Sequence, residues 1–337
     1  MIGKATRRRR KAQVQRDRRL PGRLLLGAEG LEARTLLATG AVPQATLVAP
    51  ARSLIGQNLD LTVGFSNATG SNPGYGPYVD LFLPKTGDDG KGAAATDGLS
   101  FVDARYLGQH VTSTVLNFDA QGHATHPYAE DTAGNHLVVS GTPGDELVVL
   151  QLPFGSFTPG QPAVSLDVTA KLSGTAPLGV PLNLQARGGF RYGNDALDNP
   201  ATDPTILGAA APAQVDPALF FLKDTYNGPE DETATGPNFP RTETLALQVA
   251  SGQTVTNLDL TDALPNNMQF LGVTGATAGG SAAATTARAT PGTAAPGGTL
   301  TRRFASVTGT GSPTGRRSRP DVGLHGLSSV HTGDQAA

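Results

Sequence analysis

The feature that most constrains this 337-residue chain is the regular alternation of short apolar runs with Gly, Pro, Asn and Asp. Successive side chains of a strand point to opposite faces, so alternating apolar and polar residues predict a half-buried strand. Between residues 45 and 186 no stretch of useful length has the 3.6-residue period of a helix. The predicted strands are 45–49, 59–65, 78–83, 99–107, 111–118, 137–139, 147–152, 164–172 and 180–186. Their even spacing is typical of an all-β sandwich.

Composition favours the same fold class. The 43 glycines and 25 prolines make up about a fifth of the chain, which disfavours long helices and suits short strands joined by turns. Tryptophan is absent and aromatic residues are 5 % of the chain, so a core must be built mainly from Val, Leu, Ala and a few Phe. The sequence contains no cysteine, which excludes disulfide scaffolds, thiolate catalysis and Cys-based metal sites.

Charge is distributed unevenly along the chain. Residues 1–34 carry eleven Lys or Arg against three acids, residues 302–337 carry five against two, and the body between them carries ten against twenty-three. The dense N-terminal block is predicted to be disordered in isolation. It is open to three interpretations: a solvated tail, an arm that binds nucleic-acid phosphates, or the basic start of an export segment. No aromatic residue interleaves with the arginines to stack on bases, which disfavours nucleic-acid binding.

Export is favoured by the residues immediately after the arginine block. The apolar triplet Leu24-Leu25-Leu26 precedes L-E-A-R-T-L-L-A at residues 31–38. This octet resembles the L-E-x-R-x-L-L sorting motif that many large bacterial surface proteins carry behind an Arg-rich start, although Ala33 stands where the motif usually has Pro or Asp. The resemblance implies an export or surface-sorting segment. Nothing in the sequence approaches the roughly 18 apolar residues of a membrane-spanning helix, so no transmembrane span is expected.

A second resemblance lies further along the chain. Residues 257–273, N-L-D-L-T-D-A-L-P-N-N-M-Q-F-L-G-V, predict a strand, a turn at Pro265 and a second strand. The segment resembles the signature of the conserved-repeat domain of bacterial cell-surface proteins, which implies an immunoglobulin-like β-sandwich. Residues 55–108 echo the same pattern, which indicates two related sandwich modules.

These observations predict the domain organisation. It comprises a disordered basic export segment at 1–43, a β-sandwich at 44–192, a Pro/Ala/Asp-rich linker at 193–216, a conserved-repeat β-sandwich module at 217–309 and a disordered, irregular tail at 310–337. Within the second module, residues 275–298 are almost wholly Ala, Thr, Gly and Pro, and we expect a mobile loop or stalk there. The abrupt change of character near residues 309–315 suggests a truncated or shifted reading frame, which would leave the second module incomplete.

Candidate chemistry is sparse. No metalloprotease, nucleophile-elbow, phosphate-loop or dinucleotide motif occurs in a supporting context, and no two acids stand out as a glycosidase pair, so we predict that the protein is not an enzyme. His123 and His126 have a spacing that metals can use, but an exposed polar hairpin loop explains them as well.

Calcium is the one cofactor that the sequence leaves open. Acidic loops cluster the hard oxygen donors that calcium prefers, although none matches an EF-hand, and solvated acidic loops would have the same composition. Residues 230–232 form one such cluster. The candidate ligands in the other two are Asp88, Asp89, Asp97, Asp195, Asp198 and Asp203.

The sequence therefore predicts a non-catalytic structural or adhesive module of an exported bacterial cell-surface or extracellular protein. Its expected partners are cell-envelope or extracellular-matrix components, and the oligomeric state is left open. The alternative is a calcium- or carbohydrate-binding sandwich domain. Against carbohydrate binding, the available aromatic cluster for stacking on sugars is limited to Tyr75, Tyr78 and Tyr106.

Overall fold

The computed structural model describes residues 40–69, 71–89, 96–193, 205–227, 240–263, 268–275, 282–283, 286–289, 299–308 and 324–333. Within these ranges the secondary structure is all-β. The described part of the chain has no helix that is long and apolar enough to cross a membrane. The strands are β1 (Pro43–Val48), β2 (Arg52–Leu54), β3 (Asn58–Asn67), β4 (Gly74–Leu83), β5 (Leu99–Tyr106), β6 (Gln109–His110), β7 (Thr112–Asn117), β8 (His123–Glu130), β9 (His136–Ser140), β10 (Glu146–Gln151), β11 (Ser156–Phe157), β12 (Val164–Leu172), β13 (Leu182–Tyr192), β14 (Ile206–Ala218), β15 (Phe220–Asn227), β16 (Pro240–Val249), β17 (Thr254–Ala263), β18 (Met268–Gly275), β19 (Ala282–Ala283), β20 (Thr286–Ala289), β21 (Thr299–Thr308) and β22 (Leu324–Gly333).

Two large sheets form a β-sandwich. The first has the strand order β1-β3-β12-β5-β6, and the second has the order β2-β14-β13-β4-β10-β7, with β11 added beside β4. In strands such as β3 and β12 the facing side chains alternate with more exposed ones, so that every second residue is buried. Leu61 and Leu166 of the first sheet belong to the same fully buried core as Leu81 and Leu184 of the second. Burial of such side chains stabilises the fold by roughly 1.5–3 kcal/mol each.

The seven-stranded sheet is covered on both faces. The hairpin of β8 and β9 lies on its outer face and closes a second core with Tyr78, Leu147 and Val149. Strand β10 is consequently buried at five successive positions, and β4 at five, so both strands are apolar runs rather than alternating ones. A polar side chain directly beneath the hairpin, such as Asp80, is therefore shielded from solvent.

The remaining strands form two smaller sheets. One has the order β15-β16-β22-β18, and the other has β17-β21-β19, with β20 beside β21. Leu245, Leu247 and Leu260 are buried in a small core of their own. At the junction with the large sandwich, the Ala250 amide donates a hydrogen bond of 2.8 Å to the Leu219 carbonyl.

All nine strands predicted between residues 45 and 186 are present. The signature segment also forms two strands, β17 and β18, but these belong to different sheets, and residues 264–267 between them lie outside the described residues. The division into two modules at the predicted boundaries stays a prediction. Of the predicted export segment at 1–43, residues 1–39 lie outside the described part of the chain, and the segment stays a prediction.

Three sequence predictions need correction. Much of the predicted linker is strand β14, which pairs with β13 between Ile206 and Val215. The predicted irregular tail contains β22, which pairs with both β16 and β18, and the predicted mobile loop contains β19 and β20. The physical reason is common to all three: main-chain hydrogen bonds to a neighbouring strand need no apolar alternation, so Ala-, Gly- and Ser-rich segments join a sheet without a sequence signal.

Candidate functional site

A charged side chain lies in the middle of buried strand β4. Asp80 has no exposed surface and points to the outer face of the seven-stranded sheet, opposite Arg187 of β13. The Arg187 guanidinium donates to Asp80 Oδ2 from Nη2 at 2.7 Å and from Nε at 3.3 Å. A buried carboxylate is strongly destabilising unless a positive group and hydrogen bonds compensate it, and this fork of donors does both.

His126 of the β8–β9 hairpin supplies the second partner. Its Nδ1 accepts hydrogen bonds from the backbone amides of Tyr128 and Ala129, at 3.0 and 2.6 Å. The ring proton therefore lies on Nε2, which donates to Asp80 Oδ1 at 2.9 Å. Both ring nitrogens are engaged and the side chain is fully buried, so His126 is not placed to take a proton from a substrate. The network instead fixes the hairpin on the sheet.

A second set of contacts holds the far end of the same hairpin. Arg191 of β13 pairs with Glu130 at 3.1 Å, and its guanidinium lies 5.1 Å above the ring of Tyr128. The hydroxyl of Thr205 accepts from the Glu130 amide at 2.8 Å and donates to the Arg191 carbonyl at 3.1 Å. The hairpin is thus attached at two points along β13.

Tyr78 packs between these two attachments. Its ring lies 5.0 Å from that of His126 and meets Tyr128 edge-on at 5.4 Å. Its hydroxyl is buried and has no hydrogen-bond partner among the described residues. Burial, reinforced by the charge of Asp80, raises the pKa of Tyr78 well above its ordinary value near 10. Gly189 lies directly against the ring, where a Cβ atom would meet Tyr78 Cζ and the hydroxyl oxygen.

A cavity of about 330 Å³ opens beside the network. Phe82 and Phe118 line it as a nearly parallel ring pair with centroids 6.2 Å apart, and Arg187 lies over the Phe82 ring at 5.4 Å. Amides of Asn183 and Gln185 line another part of the wall. The cavity wall combines aromatic faces with amide and carboxylate groups. These are the kinds of group that bind a polar organic ligand.

Carboxylates complete the wall of this cavity. Asp88 accepts from the Asn183 amide at 2.7 Å and from its Nδ2 at 3.1 Å. Asp145 accepts from the backbone amide and the hydroxyl of Thr86, at 3.0 and 2.7 Å. Burial raises the pKa of Asp145, and the nearby Asp88 adds to the effect, although the Thr86 hydrogen bonds act the other way.

The structure brings part of the predicted calcium set near one turn. Asp88 and Asp89 are in the turn after β4, and Asp97 returns to it, because a Cβ atom on Gly87 would lie 2.7 Å from Asp97 Oδ1. Asp97 is buried, and that oxygen has no partner among the described residues. In the described ranges no group of three or more His, Asp or Glu is arranged to hold a metal ion. Calcium binding stays a prediction, and Asp195, Asp198 and Asp203 lie outside the described residues, as does the cluster at 230–232.

The predicted histidine pair is split. His123 and His126 are on strand β8, not in a loop, and the odd spacing sends them to opposite faces: His123 is exposed and His126 is buried. The two rings therefore cannot share a metal ion. The predicted tyrosine cluster is not an exposed platform either, because Tyr78 is fully buried and Tyr75 and Tyr106 are half-buried.

Sequence reasoning missed the Asp80–His126–Arg187 network. Its members are 46 and 107 residues apart, so no motif spacing connects them. A usable signal was nevertheless present in Y-V-D-L-F-L, where a carboxylate interrupts a continuous apolar run. A charge in a strand that is buried on both faces requires a partner, and Arg187, the residue directly after the predicted strand 180–186, is a candidate.

Comparison with known proteins yields distant structural likenesses alone. No protein-family model matches the chain, and no curated protein sequence matches it. A cohesin module from a Clostridium perfringens family 33 glycoside hydrolase is 8 % identical, with 52 % of this chain and 96 % of the module covered and a TM-score of 0.31. The major pilin subunit of Bacillus cereus is 9 % identical, with 64 % and 60 % covered and a TM-score of 0.27. AvmM, which catalyses a macrocyclization in alchivemycin A biosynthesis, is 14 % identical, with 58 % and 93 % covered and a TM-score of 0.29. Scores this low carry no argument about function.

Proposed function

We propose that the chain is a non-catalytic structural or adhesive module of an exported bacterial cell-surface or extracellular protein. The observation that carries the proposal is that a buried Asp and His and a partly buried Arg, residue types that often act in catalysis, bond to one another instead. Asp80, His126 and Arg187 satisfy one another beneath the hairpin, with 0 % of the His126 and Asp80 side chains exposed. Such an arrangement makes the sandwich rigid and leaves the Asp80 carboxylate and the His126 imidazole out of reach of a substrate. Rigidity is what a spacer or adhesive scaffold requires.

Two sequence resemblances support a surface location. The L-E-A-R-T-L-L-A segment behind the arginine block is similar to a bacterial sorting motif, and residues 257–273 are similar to the signature of a surface-protein repeat. Cell-envelope or extracellular-matrix components are the partners that this location implies. The absence of cysteine is compatible with such a sandwich, because the large core does not require a disulfide.

Cell fractionation with N-terminal sequencing tests the location. We expect the mature chain in the envelope or the medium, beginning near residues 38–42, and we expect a variant with Leu36 and Leu37 both changed to Asp to stay in the cytoplasm unprocessed. A matched variant, Leu24→Asp with Leu25→Asp, removes two apolar residues outside the motif. Comparing the two variants distinguishes a requirement for the motif from a requirement for apolar residues in general. Wild-type protein found in the cytoplasm with residues 1–34 intact would overturn the proposal.

The cavity favours a second candidate, a carbohydrate-binding sandwich. Phe82 and Phe118 offer ring faces and Asn183, Gln185 and Asp88 offer the hydrogen-bonding groups that sugars use. A glycan array tests this candidate, with Gln185→Ala expected to weaken any binding. The matched variant Gln109→Ala lies on β6 of the other sheet, is exposed, and should leave binding unchanged. A silent array favours the structural function.

Calcium binding is tested separately. The buried Asp97 oxygen is the observation that favours it. If calcium occupies this turn, adding the ion should raise the melting temperature of the wild-type chain and leave that of Asp97→Asn unchanged. Equal melting temperatures in calcium and in chelator for the wild-type chain would remove the candidate.

A further inference from the structure

Three side chains with complementary chemistry meet at one end of the seven-stranded sheet. Strands β4 and β7 both pair with β10, which lies between them. Glu146, the first residue of β10, is opposite Leu83 of β4 on one side and Asn117 of β7 on the other. Lys85 follows β4 by two residues. The topology therefore brings an amine and a carboxamide from two non-adjacent strands to the carboxylate between them.

The distances are short. Lys85 Nζ lies 3.0 Å from Asn117 Oδ1 and 3.0 Å from Glu146 Oε1. Glu146 is held from the opposite side, because its Oε2 accepts a hydrogen bond of 2.8 Å from the amide of Phe101 in the other sheet. Only 7 % of the Glu146 side chain is exposed, against 28 % of that of Lys85. The carboxylate is thus fixed, the amine is positioned on it, and the amide oxygen is within reach of the same nitrogen.

We propose that Lys85 and Asn117 become joined by a side-chain amide bond, with Glu146 as the group that takes the proton from the amine. Nζ first transfers a proton to Glu146 Oε1 and becomes a neutral nucleophile. Nζ then attacks Cγ of Asn117, the Cγ–Nδ2 bond breaks, and Nδ2 leaves as ammonia with a second proton from Nζ. Glu146 returns its proton to the released ammonia. The reaction needs no oxidant, metal or co-reactant, and the chain loses one molecule of ammonia.

The position of this bond would affect how easily the strands of the sheet can separate. Strands β4 and β7 are not neighbours in the sheet: β7 pairs with β10, whereas β4 pairs with β10 on one side and with β13 on the other. A covalent link across β10 would prevent the three strands from separating independently. The partial exposure of Lys85 leaves a path to solvent for the ammonia.

Mass spectrometry of the full chain tests the proposal. After incubation at pH about 9, where the neutral fraction of an ordinary lysine amine is roughly a hundred times that at pH 7, the intact mass should be lower by one ammonia. Trypsin should fail to cut after Lys85, and a branched peptide should link Lys85 to Asn117. Separate unmodified peptides under these conditions, or an Asn117 that is merely deamidated to Asp, would overturn the proposal.

Two variants assign the roles and one serves as a control. Lys85→Arg keeps the positive charge beside Glu146 but removes the nucleophilic amine, so the ammonia loss should disappear. Glu146→Gln keeps the shape of the side chain but cannot take the proton, so the loss should disappear there too; a full loss in this variant would exclude the role of Glu146. Lys171→Arg, at an exposed position on β12, should retain the loss. None of these outcomes depends on where in the cell the protein works.

Discussion

Two clusters in this protein contain the same three residue types, Asp, His and Arg, in very different surroundings. One is Asp80, His126 and Arg187, sealed between the seven-stranded sheet and the hairpin. The other is Asp103, His110 and Arg105, on the β5–β6 hairpin at the edge of the five-stranded sheet. The exposed side-chain fractions are 0 %, 0 % and 21 % in the first and 29 %, 68 % and 45 % in the second.

The hydrogen bonds of the two clusters are almost equally good. In the exposed cluster, Asp103 Oδ1 lies 2.7 Å from His110 Nδ1, Asp103 Oδ2 accepts from Arg105 Nε at 2.8 Å, and Arg105 Nη2 lies 3.0 Å from His110 Nε2. Geometry therefore does not distinguish the clusters. What differs is the cost of breaking them, because water replaces the lost partners at the surface and cannot do so beneath the hairpin.

The largest expected effect is that of Asp80→Ala. The variant leaves Arg187 without its carboxylate and His126 with an unsatisfied Nε2 donor in a sealed site. Breaking a buried pair in this way costs about 3–5 kcal/mol, so we expect a loss of that order in the free energy of unfolding measured with urea. We also expect the β8–β9 amides to exchange hydrogen faster than those of β10. Asp103→Ala is the matched control. A loss below about 1 kcal/mol in Asp80→Ala would mean that burial does not make the contributions of the two clusters to the free energy of unfolding differ.

The two clusters also differ in how far sequence could have predicted them. Alternation identified β5 and the apolar run of β4, because local pattern decides which face of a strand is buried. Asp103, Arg105 and His110 lie within eight residues of one another, so a hairpin alone brings them together. Asp80, His126 and Arg187 come from three strands of different sequence regions, and their contact depends on a hairpin that folds back over the sheet.

The missed hairpin strand shows the same limit. Strand β8 reads H-A-T-H-P-Y-A-E, and its buried positions are occupied by Ala124, His126 and Ala129 rather than by large apolar residues. The alternation of apolar and polar residues predicts that the apolar residues face inward. In β8 a polar residue, His126, is on the buried face, so the alternation does not identify that face. Strand β14 was missed for a related reason: Ala210 to Ala213 pair with β13 by main-chain hydrogen bonds, which leave no mark on side-chain polarity.

Removing the hydroxyl of Tyr78 tests the same buried site with an expected gain in stability instead of a loss. The hydroxyl is buried beside Asp80 and has no partner among the described residues, so Tyr78→Phe removes a desolvation cost without loss of a hydrogen bond. We expect unfolding to become more difficult by about 1 kcal/mol, with the ring packing against His126 unchanged. A destabilised variant would show that an ordered water molecule satisfies this hydroxyl.

The exposed cluster depends instead on its turn. Leu107 and Gly108 connect β5 and β6 with positive φ values of 49° and 82°, the conformation of a two-residue type I′ turn. Leucine is disfavoured there, and 81 % of its surface is exposed without a packing benefit. Leu107→Asn should therefore raise the free energy of unfolding by roughly 0.5–1 kcal/mol. Leu178→Asn, at another exposed leucine, is the control and should produce no gain.

The smallest expected effect is that of Asp103→Ala, and its pH dependence identifies the cause. Burial acts to raise the pKa of Asp103, but the hydrogen bonds and charges of His110 and Arg105 outweigh it, so the pKa in the folded protein is below its ordinary value. A carboxyl of this kind stabilises the fold above the unfolded pKa of about 3.9 and loses that contribution as pH falls through the folded value. At neutral pH the variant should be less stable by under about 1 kcal/mol, and salt should reduce the difference. Titration of unfolding free energy between pH 7 and 2 should therefore bring the two proteins together at the acid end, whereas a difference that stays constant across this range would assign the effect to packing rather than to charge.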